Sequence, residues 1–278
     1  VSLGWHIAIP SYKRPKTIRR RTLALLERSS IPPERVTIFV ASHEEADCYR
    51  ESLAARWAGR VVVGLPTLCG ARRFIREWYP EKALVFSMDD DVRDVLYRLD
   101  NKRVVSAGAC LRHVIEEGFA LTEAAGLKLW GIYPTVNPYF MKPTVTHELR
   151  YIVGALWGIV NTHDPRTYVS RDEKEDYERS LRHYLRDGGV VRLNYLAVKT
   201  AYYTEPGGMQ EDRTQERIET AVRELLREFP MLCVRNRARK KRAEILLKDK
   251  RTGPVIRRTW ADQPEPPGWP ARVGAADV

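Results

Sequence analysis

"VFSMDDDVRD", residues 85–94, sets three adjacent carboxylates directly after a short apolar run. Like charges at the end of a buried strand repel one another unless something neutralises them. One reading is an acidic surface turn or helix cap. The other is a bound divalent cation. In extended chain Asp89 and Asp91 point to one side and Asp90 to the other. One or both of the outer pair would then meet the metal while the neighbour contacts a sugar or ribose. Hard oxygen ligands favour Mg²⁺ or Mn²⁺ over zinc.

The sequence before this stretch explains why its position matters. "HIAIPSY" reads as a buried strand ended by proline and polar turn residues. Residues 16–29 have helical spacing, with Ile18, Leu25 and Leu26 as the apolar stripe, the Thr22 methyl between them and Leu23 towards one edge. A second strand follows over 36–41, then a helix through "EADCYRESLAARW", a third strand at "RVVVGL" and a helix over 70–79. "ALVFSMDDD" is the next strand. This β-α-β-α-β-α-β order predicts a mainly parallel sheet covered on both faces. Nucleotide phosphates bind best at the carboxyl ends of such strands, where the three aspartates lie.

Downstream, a helix and a strand near 128–132 lead into the loop "PTVNPYFMKP" and a sheet-like pair around 149–160. "DEKEDYERSLRHYLRDGG" reads as a helix stopped by its glycines. "VVRLNYLAVKTAYY" returns as a strand, and "PGGMQ", residues 206–210, is a flexible punctuation point. The helix "TQERIETAVRELLREFP" begins a basic extension expected over 206–260. A loosely ordered tail completes the chain over 261–278.

A chain of 278 residues can build one substantial core with a modest appendage. The four cysteines, Cys48, Cys69, Cys110 and Cys233, form no CxxC pair, which argues against a zinc site or disulfide scaffold and fits a reducing, cytoplasmic setting. No apolar run approaches bilayer-spanning length, and the opening "VSLGWHIAIPSYKRP" lacks signal-peptide features. The net charge of +11 is explained better by a polyanionic partner than by a merely solvated surface, which is the alternative. Positive charge gathers in "RNRARKKRAEILLKDKRTGPVIRR" and "YKRPKTIRRR", and acidic residues gather at 89–94 and 172–178.

The second acidic island opens a helix, where carboxylates also serve as ordinary caps. Opposite a metal–diphosphate, one of them would instead deprotonate an acceptor hydroxyl. Asp176 is the expected base, with Glu175 the fallback.

The order "IAIPSYKRP", "GARRFI", "MDDDV", "EDYERSLRHYL" resembles nucleotide-sugar glycosyltransferases of the GT-A fold. More narrowly, with "YPTVNPYFMKP" and "YIVGALWG", the chain resembles the TET-associated glycosyltransferases of phages, related to the base J glucosyltransferases. The likeness covers roughly residues 5–205. It implies a Rossmann-type mixed sheet flanked by helices over 1–205, followed by the basic helical extension. It implies a DxD-type metal motif at 89–91, with Asp89 and Asp90 also meeting the donor. Pro10, Ser11, Tyr12 and Arg14 would lie nearest the uridine. Arg72, or else Arg73, would contact the diphosphate, and Asp176 matches the base of inverting members. The late histidine ligand of some GT-A enzymes has no counterpart after residue 183.

Aromatic residues interleaved with positive charge suggest the acceptor. Tyr139, Phe140, Tyr151 and Trp157 would line a pocket for an extruded base, with core packing as the alternative. Arg237, Arg239, Lys240, Lys241 and Arg242 would follow a phosphate backbone. Gly154 and Gly158 would permit close approach or merely bend the sheet. The leading expectation is metal-dependent transfer from UDP-glucose or a related UDP-sugar to 5-hydroxymethylcytosine in double-stranded DNA, hydroxymethyluracil being the weaker variant, in a host cytoplasm if phage-encoded. The alternatives are a GT-A transferase acting on a glycan, lipid or protein hydroxyl, and a noncatalytic nucleic-acid-binding module.

Overall fold

Four short strands build the first half, the first three each followed by helical chain that returns to the same end of the sheet. They are β1 (Trp5–Pro10), β2 (Val36–Val40), β3 (Val61–Val63) and β4 (Leu84–Met88). They lie parallel in the order β3-β2-β1-β4, as right-handed β-α-β crossovers require. The structure is a computed structural model that describes residues 4–200, 207–208, 213–238, 243–248 and 256–257.

The connecting helices are α1 (Pro15–Ile18) and α2 (Ala24–Arg28), joined by a π-helical turn Arg19–Leu23, then α3 (His43–Ser52), α4 (Ala55–Ala58) and α5 (Leu68–Trp78). Proline opens α1, and the side chains of Ser42 and Thr67 cap α3 and α5. The expected stripe of Ile18, Leu25 and Leu26 is fully buried, and Leu23 is buried with it. The helix expected through residue 57 breaks instead at extended Leu53, between α3 and α4.

The second half completes a mixed sheet. The strands are β5 (Val92–Arg98), β6 (Val104–Ser106), β7 (Leu129–Tyr133), β8 (Thr144–Thr146), β9 (Leu156–Val160) and β10 (Val191–Thr200), with helices α6 (Leu111–Ala124) and α7 (Glu175–Asp187). β9 runs antiparallel between β4 and β7, while β7 pairs in parallel with β10. β8 and β5 both pair antiparallel with β10. Of the pair expected around 149–160, only β9 falls in that range. β5 begins immediately after the acidic turn and was hidden from the sequence by its charges. Val92, Val95 and Tyr97 face the core while Arg93 and Asp94 are only half-buried.

Alternation along β1 divides the interior. Ile7 and Ile9 join one cluster with Leu25, Phe86, Trp130 and Leu193, while Ala8 faces Phe39, Ile75 and Ile159 in another. The Trp130 indole sits beside two glycines. A Cβ at Gly158 would lie 2.0 Å from Trp130 Nε1, and one at Gly118 2.5 Å from the same ring. Gly158 is therefore a clearance for the core.

After β10 come α8 (Gln215–Glu228), β11 (Cys233–Arg235), β12 (Ile245–Leu247) and the edge strand β13 (Ile256–Arg257). Val222, Leu225, Phe229, Cys233 and Ile245 pack onto Leu149, Leu181 and Tyr184 in a third cluster. Among the described residues of the extension, α8 is the helix. β11 and β12 pair antiparallel with Cys233 and Ile245 buried in this cluster, and most of the basic run expected to be helical lies in the connection between them, outside the described residues. Arg237 lies exposed in that connection, and Arg239, Lys240, Lys241, Arg242 and the 261–278 tail lie outside the described residues. Gly207 and Gly208, from the expected punctuation point, have positive φ of 79° and 74°; the rest of 206–210 lies outside the described residues.

Candidate functional site

The three aspartates sit at the carboxyl end of β4, beside that of β1. They are not extended. Asp90 and Asp91 form the turn into β5, so the expected alternation of their side chains is lost. The reason is local: Thr22 Oγ1 donates to the Asp89 carbonyl at 2.7 Å and accepts from Val92 N–H at 3.0 Å. The π-helical turn that holds Thr22 therefore clamps both ends of the acidic turn.

Asp90 folds back onto the loop after β1. Its Oδ2 accepts from Ser11 Oγ at 2.6 Å and its Oδ1 from Arg14 Nη1 at 3.1 Å. The same Arg14 nitrogen lies 3.9 Å from Asp91 Oδ2, and Arg14 Nη2 donates to the Gly207 carbonyl at 2.7 Å. Tyr49, from α3, was missed by the sequence reading; its Oη accepts from Arg14 N–H at 2.9 Å and lies 2.6 Å from Ser11 Oγ. No chemical signal in "DCYRES" marks it. Burial holds its phenol above the ordinary range, so it stays neutral. Pro10, Ser11, Tyr12 and Arg14 are thus brought together beside the acidic turn, with Ser11 and Arg14 buried and Pro10 and Tyr12 half-buried.

Arg72 links this turn to the second acidic island. The guanidinium donates to Ser87 Oγ at 2.7 Å, Asp89 Oδ1 at 3.3 Å and the Gly154 carbonyl at 3.2 Å. It also lies 3.5 Å from Glu175 Oε1. It is thereby buried as a bridge, whereas Arg73 is exposed and paired with Glu77. Glu175 is 4% exposed and shared with Arg179 at 2.6 Å. Asp176, next along α7, is only half-buried and accepts the Tyr151 hydroxyl. Tyr151 in turn stacks on Tyr177, centroids 4.3 Å apart.

The four aromatics expected in one acceptor pocket separate. Tyr139 and Phe140 are 66% and 55% exposed and meet edge-on, while Tyr151 adjoins Asp176. Trp157 is 4% exposed, and Arg179 and Arg72 lie over its ring at 3.9 and 5.4 Å. It is a packed platform because β9 lies between β4 and β7 rather than at an edge.

Electrostatics single out the turn. Burial pushes the Asp90 carboxyl up to about 6 against the opposing pull of Arg14 and Ser11. Asp89 is raised too, first by burial and then by Asp91 and Glu175, with Arg72 opposing. Its side chain is nevertheless 39% exposed. Among the described residues no group of three or more His, Cys, Asp or Glu could by itself hold a metal. The donor set still fits Mg²⁺ or Mn²⁺, which bind through one or two carboxylates together with substrate phosphates. Carboxylates with raised pKa values are the groups whose ionised form a cation would favour.

No protein-family model matches the sequence, and no curated protein matches it. Solved structures do. S. aureus TarS 1–349 in complex with UDP-GlcNAc matches with a TM-score of 0.51 at 15% identity, over 81% of this chain and 67% of that one. Mannosyltransferase PcManGT from Pyrobaculum calidifontis, in complex with GDP-Man and Mn²⁺, gives 0.55 at 11%, over 82% and 65%. Glucosyl-3-phosphoglycerate synthase from Mycobacterium tuberculosis, in complex with Mn²⁺ and UDP-glucose, gives 0.50 at 11%, over 88% and 87%. The chain spans about two thirds of the first two structures. The chain shares with these structures a Rossmann-like mixed sheet flanked by helices.

Proposed function

We propose that this protein transfers a sugar from a nucleoside diphosphate sugar to an acceptor hydroxyl, in a GT-A arrangement. One observation carries the reading: Arg72 joins Asp89 at the end of β4 to Glu175 at the start of α7. Two acidic islands far apart in sequence thus border one site at the carboxyl end of the parallel strands, where phosphates are bound. The fold neighbours held with UDP-GlcNAc, GDP-Man or UDP-glucose support a nucleotide-sugar donor, UDP-glucose being our choice.

Each residue then takes a role. Pro10, Ser11, Tyr12 and Arg14 flank the donor nucleotide. Asp89 and Asp91 would hold Mn²⁺ or Mg²⁺, which when bound neutralises charge on the leaving diphosphate. Asp176 takes the proton from the acceptor hydroxyl as its oxygen bonds the anomeric carbon and the bond to diphosphate breaks. Such a single displacement inverts configuration. Glu175 is committed to Arg72 and Arg179, which favours Asp176 as the base. Arg72 acts by holding Asp89 and Glu175 in place, and Arg73 is the better placed of the two to reach a phosphate.

The acceptor is a hydroxyl of a glycan, lipid or protein. A second reading, 5-hydroxymethylcytosine in DNA, is favoured by the net charge of +11, by exposed Arg237 and by the exposed Tyr139–Phe140 pair. Among the described residues no helix is long and apolar enough to cross a membrane.

A donor-by-acceptor matrix tests both readings. UDP-glucose, UDP-GlcNAc and GDP-mannose are offered with Mn²⁺ to glycan, lipid and peptide acceptors and to hydroxymethylated duplex DNA. Turnover on a glycan, lipid or peptide supports the first reading, and turnover requiring modified DNA selects the second. Absence of donor binding and hydrolysis across the matrix overturns the transferase.

A further inference from the structure

A cavity of about 20 Å³ is lined by four guanidinium-bearing residues, Arg72, Arg73, Arg76 and Arg179, with the Trp157 ring and Glu175 and Val169 among the rest. The charges around it do not balance. Arg72 has Asp89 at 3.3 Å and shares Glu175, and Arg179 has Glu175 at 2.6 Å. Arg76 has no carboxylate within ion-pair distance among the described residues, although it is only 7% exposed. Its bonds go to neutral oxygens: Nε to Asn161 Oδ1 at 2.8 Å, and Nη2 to Thr167 Oγ1 at 3.0 Å and to Thr162. Among the described residues these are its hydrogen bonds, through Nε and Nη2 and not through Nη1.

Other groups do not supply the missing charge. Asp164, whose charge reaches Arg76, is held by Arg166 and Arg186. His183 is fully buried and bonds Asp187 at 3.1 Å. Three further donors on the lining residues, Nε of Arg72 and Arg179 and the Trp157 indole N–H, are buried without a partner. A buried guanidinium without a counter-charge is costly, and unpaired buried donors add to the cost.

We propose that this cavity is an anion site that takes one halide-sized monovalent anion against the unbonded edge of Arg76. The size follows from the volume. A cavity needs about 10–15 Å³ to hold a water, so 20 Å³ suits one small ion. The anion neutralises Arg76 and leaves Glu175 to Arg72 and Arg179, the pairing that borders the candidate site. Burial already lowers Arg76 to about 10, with Arg186 and Arg179 adding to the strain on its charge.

The test needs neither donor nor acceptor. The full-length protein is melted in sodium chloride and in sodium gluconate at equal ionic strength, and the ³⁵Cl line width is measured with and without bromide. Chloride is expected to raise the melting temperature by about 2–4 °C over gluconate, and bromide to narrow the broadened ³⁵Cl line. Arg76→Leu should abolish both effects. If that variant does not fold, Val169→Phe fills the cavity without removing a charge and should abolish them too. Identical melting in the two salts with no line broadening overturns the site. So does an effect retained by Val169→Phe, which marks loose surface binding, or a response to phosphate alone.

Discussion

Arg72 lies 3.5 Å from Glu175, and through that pair the start of α7 is fastened to the helix beneath the acidic turn. Burial of both partners makes the link costly to break from one side, since either group alone would be left as an uncompensated charge. The geometry of the proposed site therefore depends on a contact that neither chain segment announces.

Removing the exposed member of the acidic turn separates cation binding from folding. Asp89→Asn is expected to keep its melting profile but to lose Mn²⁺-dependent UDP affinity and about 10²-fold or more of turnover. Titration calorimetry of UDP with and without Mn²⁺ checks it. Unchanged Mn²⁺ dependence would take the cation away from Asp89.

The proposed base is tested by a pair of variants. Asp176→Asn should lower transfer by about 10²–10⁴-fold while donor affinity is preserved. Tyr151→Phe removes the hydroxyl that Asp176 accepts and should cost about tenfold or more in kcat. Equal turnover of Asp176→Asn and the parent would exclude this carboxylate as the proton acceptor.

The raised carboxyl of Asp90 makes stability depend on pH. Its folded value, about 6, lies above the ordinary 3.8, so between these values the folded chain binds more protons than the unfolded one. Stability from this group is therefore complete below about 3.8 and declines as pH rises through about 6. The amount is on the order of 3 kcal/mol. Asp90→Asn should flatten that part of a denaturation-versus-pH profile; a slope identical to the parent's refutes the assignment.

Gly158 should tolerate no side chain. Its Cβ would fall 2.0 Å from Trp130 Nε1, inside the core, so Gly158→Ala is expected to cost about 1–3 kcal/mol. Urea denaturation measures it. A loss no larger than that of Gly126→Ala, where nothing lies within 4 Å but φ is +67°, would show that the slot is not tight.

Local pattern carried far in this chain. Alternating helical and strand periodicity over residues 5–88 determined the parallel β3-β2-β1-β4 half, and with it the position of Asp89, Asp90 and Asp91 at a strand's carboxyl end. The helix behind Asp176 was legible for the same reason, since its apolar spacing and Gly188 stop lie within one segment. These features depend on neighbours in sequence.

Everything else waited on partners that lie far along the chain. Insertion of β9 between β4 and β7 buries Trp157, and the charged face of β5 concealed a strand that pairs with both β10 and β6. The union of Arg72 with both Asp89 and Glu175, the clamp of Thr22 on the acidic turn and the contact of Tyr49 with Ser11 join segments 17 to 103 residues apart. A guanidinium reads the same in sequence whether it meets solvent, phosphate or a buried carboxylate. Only packing, by setting which groups lose their water together, decides among them.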